Sequence, residues 1–551
     1  MNYSDSFRNV FEKDYTWISG FMRNVRRYGD KTAMIYPSAN RSWTYGEFNR
    51  VVNKLANSFI RDGLKPKNVV MYQLSNCPEF AFIYVSTQKI RVVNTPINYR
   101  LSSGEIALSI DDSKPEVFIF CEEQINVVKE ALSLAKHKIK RLVAVSTSDS
   151  ENFNCPDWCV TFDDYIKNMP DEEPKVEGDY NIYDETTRFY TSGTTGRPKG
   201  VPTLSINEVL SAHDVIMQFP MNYNDVTLNT TPWFHRGGLH CAGPCPTLYV
   251  GGCLVALPKF SPDAALSYIE KYKVSFVAGV PTVFDRLVAL QRACPKDISS
   301  LHGIITMGSP LEKKACIAFQ KHLTPNVFNG YGLTETFWNT FLRPFELPDG
   351  TGTAGISCRD DEVRIVKSYP DRHANPDDLV AMDGTEVGEI IVKSCAKSSY
   401  AYFNNEAETE KRYFRGFAYT VDLGVWDENQ FVTVIGRKDD MIISQGENIY
   451  PTQVEEVLNT FEKVKECAVT SVPDFVKGEI VTAYIVPAEK GLSAEELDKF
   501  CKENPMLANY KRPRFYRFVD SIKRNATGKI LHYEAKKDAY EDLKNGLLIS
   551  V

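Results

Sequence analysis

No apolar run in this 551-residue chain approaches the roughly 18 residues that a membrane-spanning helix needs. The opening residues, Met1 to Phe7, lack a basic segment followed by an apolar one, so neither a secretory leader nor an Arg-rich transit peptide is expected and the cytoplasm is the expected compartment. A surplus of basic residues is missing too: the net charge of -7 excludes general attraction to nucleic acid or to an anionic lipid surface. The 13 cysteines form no dense, regular framework, which fits reduced thiols rather than a disulfide scaffold. Cys155/Cys159 and Cys241/Cys245 share a four-residue spacing, but no histidine pair stands at ligand distance along the chain, so packing is the better reading than zinc. What remains is an ordinary globular composition, 43% hydrophobic and 25% charged, in a chain long enough for several structural units around large cores.

Apolar periodicity gives an α/β pattern. Helix-like segments such as Gly46–Leu64 alternate with short apolar runs at Val69–Leu74, Ile90–Thr95 and Val117–Phe120. The alternation resumes at Gly251–Ala256 (strand), Ser261–Lys271 (helix) and Val274–Val280 (strand), as a parallel sheet covered by helices requires. After Gly436 a smaller unit begins: a helix from Pro451, strands at Lys465–Val472 and Glu479–Pro487, and a helix opened by the capping box Ser493/Glu496. The expected fold is therefore a large N-terminal domain of layered α/β subdomains over 1–437, a hinge at 438–440 and a small α+β domain over 441–551.

One stretch stands out for chemistry. Tyr190-Thr191-Ser192-Gly193-Thr194-Thr195-Gly196-Arg197-Pro198-Lys199-Gly200 surrounds one lysine with glycines and hydroxyls, directly after an apolar segment. Glycines let the backbone turn tightly and expose N–H groups, the hydroxyls add neutral donors and Lys199 adds a cation, so a polyphosphate can be wrapped from several sides. The spacing is not that of a P-loop NTPase, because Gly193 and Gly196 flank only two residues and no Gly-Lys-Ser/Thr ending follows.

Three further motifs follow in order: Asn329-Gly330-Tyr331-Gly332-Leu333-Thr334-Glu335, then Gly436-Arg437-Lys438-Asp439-Asp440 with Gly446-Glu447-Asn448, then Asn525-Ala526-Thr527-Gly528-Lys529-Ile530. With the first loop, this set closely resembles the acyl-adenylate-forming superfamily of acyl-CoA synthetases, aryl-acid–CoA ligases, adenylation domains and beetle luciferases, and the resemblance runs from about Thr44 to Lys529. It implies an AMP-forming carboxylic acid–CoA ligase that uses ATP, Mg2+ and coenzyme A on a small carboxylic acid, as a monomer or homodimer. A stand-alone enzyme that loads a carrier protein remains the alternative.

The resemblance also implies roles. Thr191, Ser192, Gly193, Thr194, Thr195 and Lys199 would hold the triphosphate, and Glu335 the magnesium ion. Asn329, Gly330, Tyr331 and Gly332 would border the nucleotide, with Tyr331 on adenine and Thr334 near the α-phosphate. Asp422 and Arg437 would take the ribose, Lys529 the reacting carboxylate and α-phosphate, and Gly446 the pantetheine arm. Asp439 would be the pivot on which the C-terminal domain turns between half-reactions. His235, in Pro232-Trp233-Phe234-His235-Arg236-Gly237-Gly238, would border the acid site with Val280, Gly308, Ser309, Phe337 and Trp338. The bulk of Phe337 and Trp338 favours a medium-chain, branched or aromatic acid over a long chain.

The chain departs from the family pattern at two places. Thr420-Val421-Asp422 stands where Thr-Gly-Asp is usual, and Leu204-Ser205 where Thr-His is common. Arg236 is unusual at its place: a surface salt bridge is expected, with contact to a second acidic group on the substrate as the alternative.

Overall fold

A computed structural model describes the chain apart from residues 1–2, 147–152, 193–197, 309–310, 348, 370–371, 438–441, 450, 490, 524–529 and 531. Among the described residues the strands form four sheets. The first orders Val160–Thr161, Arg141–Val145, Val117–Cys121, Val69–Gln73, Val93–Pro96, Glu185–Ser192 and Pro198–Leu204, all parallel except the last pair. Val69–Gln73 and Val117–Cys121 are buried at every position, which is why they read as continuous apolar runs: helices cover both faces of a parallel sheet.

The second sheet centres on parallel Val226–Asn229, Phe276–Gly279, Gly303–Met307 and Val327–Leu333, then turns antiparallel at Phe337–Leu342. A smaller antiparallel sheet combines Asp361–Val366, Gly388–Ser394, Tyr413–Phe414, Phe417–Trp426 and Val432–Arg437. The fourth sheet, from Ile442 onward, pairs Val464–Asp474 with Gly478–Pro487 and encloses its own apolar core, including Ile449, Leu458, Ile485 and Leu497. The first described strand of this sheet begins at Ile442, and residues 438–440, expected as the hinge, lie outside the described set.

Element boundaries differ from the sequence expectation where a left-handed residue stops a helix. The helix expected over 46–64 runs Tyr45–Arg61, opened by Thr44 and Glu47 in a capping box and followed by Gly63 at φ 82°. The strand expected from Ile90 begins at Val93, since Ile90 and Arg91 finish the helix Pro78–Lys89, with Arg91 at φ 58°. Gly251 closes the helix Pro244–Val250 at φ 88°, which leaves only Cys253–Val255 as strand.

Candidate active site

Strands Glu185–Ser192 and Pro198–Leu204 form the hairpin whose tip is the glycine-rich loop, and Thr191 and Lys199 are cross-strand partners on it. Residues 193–197 and the side chain of Ser192 lie outside the described set. Lys199 is ion-paired with Glu408, and its ammonium stands 5.5 Å from the ring centroid of Tyr402. The hydroxyl of Tyr402 in turn donates to Glu335. Arg412 completes the group, 3.3 Å from the Glu335 carboxylate and donating from Nε to Tyr402 at 3.0 Å. Burial disfavours the Arg412 charge, but Glu335 and Tyr402 outweigh it and hold the guanidinium's pKa above its usual value.

Lys199 and Glu335, 136 residues apart by number (335 minus 199), are therefore joined through Tyr402 and the helix Glu406–Arg412. Sequence reasoning missed Tyr402, Glu408 and Arg412. The mixed charges of Glu406–Arg412 read as a solvated helix face, and no local pattern marks one side of it as facing a phosphate site.

Glu335 occupies a tight turn, with Leu333 and Phe337 paired on either side of Thr334-Glu335-Thr336. Hairpins of this length commonly end on a left-handed residue. Here that seat belongs to Phe337, at φ 60°. Its ring stacks on Trp338 with centroids 4.8 Å apart, and both side chains are buried. A Cβ on Gly330 would lie 2.9 Å from Trp338 Nε1, so only glycine fits beneath that ring. Upstream on the same strand, Asn329 accepts from Thr306 Oγ1 at 2.9 Å, and the Tyr331 hydroxyl donates to Asp422 Oδ2 at 2.7 Å. The residues expected at adenine and at ribose are thus in direct contact.

Asp422 sits on a bulge. Opposite Glu389 and Ile391, the partner strand advances from Leu423 to Tyr419, which leaves extra residues that re-aim Asp422. Val421 takes φ 64° there, a conformation that glycine adopts freely and a β-branched residue rarely does. The departure from Thr-Gly-Asp therefore does not abolish the turn. Glu389 accepts from the Val421 N–H at 3.2 Å, and Thr420 Oγ1 both donates to Ile390 O and accepts from the Asp422 N–H. Arg437 is the cross-strand partner of Asp422, and its side chain is outside the described set. At the second departure, Leu204 N–H donates to Asn207 Oδ1 and Ser205 Oγ accepts from Trp17 N–H, which makes this pair a structural joint.

Around the expected acid site, Gly308 takes φ 79°, and a Cβ there would meet Val280 at 3.7 Å. A Cβ on Gly237 would lie 2.9 Å from Met307 Sδ, so the His235 segment and the Val280–Gly308 corner face each other. Ser309 is outside the described residues. The His235 side chain is 37% exposed, too open for a plain core histidine, and its Nε2 lies 3.5 Å from Glu447 Oε2. Glu447 follows Gly446, which turns at φ 79° in the C-terminal unit. The Glu447 carboxylate also accepts from Asn98 Nδ2 at 2.8 Å and lies 3.6 Å from Arg100. Burial opposes its charge, but His235, Arg100 and Asn98 more than offset that and hold the carboxyl below its usual pKa.

Arg236 corrects the sequence expectation. It is only 3% exposed and makes no surface salt bridge; its donors go to main-chain oxygens, Thr334 O at 2.7 Å and Lys397 O at 2.6 Å. Burial pushes its pKa down to about 10, so it remains charged at neutral pH. Cys155 and Cys159 approach to 3.5 Å between sulfurs, and Cys241 and Cys245 are buried. Cys245 does lie near Glu208 and His240. The Glu208 carboxylate, however, is filled by hydrogen bonds from His240, Tyr84, Thr186 and Thr187. Lys529 and Asp439 lie outside the described residues.

Two of the groups that meet here suit a magnesium nucleotide: a lysine for phosphate oxygens, and a carboxylate, Glu335, of the oxygen type that a hard cation prefers. Comparison with known proteins agrees. The sequence matches the AMP-binding enzyme family over residues 21–399 and the AMP-binding enzyme C-terminal domain over residues 453–529. The chain belongs to the AMP-binding enzyme family.

Feruloyl-CoA synthase of an Amycolatopsis species is 30% identical over 498 residues, 90% of this chain and 93% of the relative. Among solved structures, a double mutant of o-succinylbenzoate CoA synthetase from Bacillus subtilis with its product analogue OSB-NCoA superposes with a TM-score of 0.80 at 26% identity, covering 94% of this chain and 98% of the other. The same enzyme in complex with AMP gives 0.66 at 27% identity, with 94% and 98% covered. The reaction class is that of an AMP-forming acid–thiol ligase, with ATP, magnesium and CoA. Among the described residues no helix is long and apolar enough to cross a membrane.

Proposed function

We propose that this ligase activates a compact carboxylic acid, medium-chain, branched or aromatic, and transfers the acyl group to CoA. The size limit rests on bulk: Trp338 lies against Gly330 and stacks on Phe337, and on the reading that these two residues border the acid they leave room for a compact chain only. In the first half-reaction a carboxylate oxygen of the acid attacks the α-phosphorus of ATP, and the bond to pyrophosphate breaks. Both partners are anionic, so the step depends on cations held in place beforehand. Lys199 and the hydroxyls of Thr191, Ser192, Thr194 and Thr195, with the N–H of Gly193, take the β- and γ-phosphates. Tyr331 lies on adenine, Asp422 accepts the ribose hydroxyls with Arg437 beside it, and Thr334 is near the α-phosphate. Lys529 is the cation assigned to the reacting carboxylate and the α-phosphate. Magnesium at Glu335 supplies charge neutralisation when bound.

In the second half-reaction the CoA sulfur attacks the acyl carbon and AMP departs. The lysine that assists adenylation would obstruct the thiol, so the C-terminal unit turns about Asp439 and the strand after Gly446 lines the thiol's approach. Two observations support assigning the present arrangement to this second step: Glu447 is docked among His235, Asn98 and Arg100, and the higher superposition score belongs to the product-analogue complex. A cytoplasmic monomer or homodimer is the setting proposed for it.

The test is AMP release with magnesium and ATP over octanoate, 2-methylbutyrate, benzoate and palmitate, each with and without CoA. CoA-dependent turnover of a compact acid, with palmitate far behind, is expected. Comparable turnover of palmitate would sink the size limit, and acid-dependent pyrophosphate exchange without CoA turnover would move the acceptor to a carrier protein.

A further inference from the structure

Two buried cations grip the turn that carries Glu335, one at each end. Arg236 donates to Thr334 O at 2.7 Å, and Lys397 Nζ donates to Trp338 O at 2.6 Å. The two are linked, because the second arm of Arg236 holds the carbonyl of Lys397 itself at 2.6 Å. Lys397 is anchored from behind by Asp214 and Asp361, each at 2.7 Å. Burial opposes the Lys397 charge, but Cys358, Asp214 and Asp361 outweigh it and keep the ammonium's pKa above its usual value. Between the gripped carbonyls stands Phe337 at φ 60°. A non-glycine residue keeps that conformation only where its surroundings over-determine it, and such residues gather at active sites.

We propose that Arg236 and Lys397 are positioning residues that clamp the 334–338 turn, presetting the Glu335 carboxylate and the Phe337 ring before any ligand arrives. The clamp itself is a property of the fold; its effect on adenylation rests on the function proposed above. Hydrogen bonds from a full charge to a buried carbonyl are among the stronger kinds, and these pull on both sides of one strained residue. The arrangement explains why a guanidinium is buried beside the acid site with its donors on backbone rather than on a carboxylate partner.

Arg236 is the side to test, since removing Lys397 would leave Asp214 and Asp361 buried without their cation. Amide hydrogen exchange is followed by mass spectrometry in the wild type, Arg236→Met and Arg236→Lys. In Arg236→Met, peptides spanning 333–340 should exchange roughly tenfold faster, the change expected from losing one charge-assisted hydrogen bond. Exchange in Val69–Gln73 and Gly478–Pro487 should stay as in the wild type. Arg236→Lys should restore part of the protection, because one ammonium can still reach Thr334 O, and it serves alone if Arg236→Met does not fold. With a turned-over acid, pyrophosphate exchange should lose kcat and the KM for ATP should rise with it, since Glu335 is assigned to the nucleotide's magnesium, and Arg236→Lys should recover part of both. Wild-type protection of 333–340 in a folded variant, or faster exchange everywhere, would overturn the clamp. Failure to adenylate any acid would leave the exchange result standing and count against the function alone.

Discussion

The phenol of Tyr331 donates to the carboxylate of Asp422 at 2.7 Å, joining the strand that ends in the Glu335 turn to the bulge of a different sheet. On the proposed reading, the surface under adenine and the acceptor for ribose move as one piece. Tyr331→Phe keeps the ring and removes that bond, whose net worth is about 0.5–1.5 kcal/mol, so the Kd for ATP should rise about two- to tenfold. Calorimetric titration with ATP decides it, and an unchanged Kd would mean that the bond orients nothing.

Glu408 occupies the cation that the proposal gives to phosphate. Burial works against its charge, but Lys199 and Lys411 hold its pKa below the usual value, so it competes as an anion at neutral pH. Glu408→Gln should therefore lower the KM for ATP, by a factor of about two to five given the modest worth of partly exposed pairs. Lys199→Ala should raise it. A higher KM in Glu408→Gln would show that Glu408 orients Lys199 toward the nucleotide.

Val421 should respond to glycine in the unusual direction. Its left-handed φ carries strain of about 1–3 kcal/mol, against which glycine's extra freedom in the unfolded chain costs about 0.5–1 kcal/mol. Val421→Gly is expected to stabilise the N-terminal domain by roughly 1 kcal/mol, read as a higher denaturant midpoint with the ATP affinity kept. Destabilisation would mean that packing of the valine side chain outweighs the strain.

Acidification should release the C-terminal unit. The Glu447 carboxyl is held below its ordinary value, so its contribution to docking is complete above the free-glutamate pKa of roughly 4.3 and is lost as pH falls through the lower docked value. Small-angle scattering should report one shape across neutral pH and an expanded one only on strong acidification. In Glu447→Gln the expanded form should be present at neutral pH. A pH-independent profile in the wild type, or a compact variant, would remove Glu447 from the docking contact.

Lys529→Ala tests the residue on which the adenylation step rests. Losing a preorganised cation should slow acyl-adenylate formation by at least roughly 10²–10³ fold, while thioester formation from supplied acyl-adenylate is largely kept. Equal damage to both steps would contradict the role.

Much of this was legible in the residues because it is local. The parallel strands and the capping box at Ser493 depend on neighbours within a few positions, and the structure places them where the pattern implies. The strand limits near Ile90 and Gly251 were not legible, because residues in the left-handed region end the preceding helices there. Arg236 was misread for a related reason. A lone arginine after His235 says nothing about carbonyls at Thr334 and Lys397, which the fold brings in from elsewhere along the chain. Glu408 and Arg412 escaped notice because a charged helix looks the same in sequence whether it faces water or a lysine.

The pairing of Gly330 with Trp338 bears on how this enzyme can change over generations. No side chain can be added at 330 while the indole remains, and enlarging 338 has no further room. On the proposed reading, shrinking residue 338 is one route toward longer acids, and a lineage that took it would find position 330 released from glycine in the same stroke.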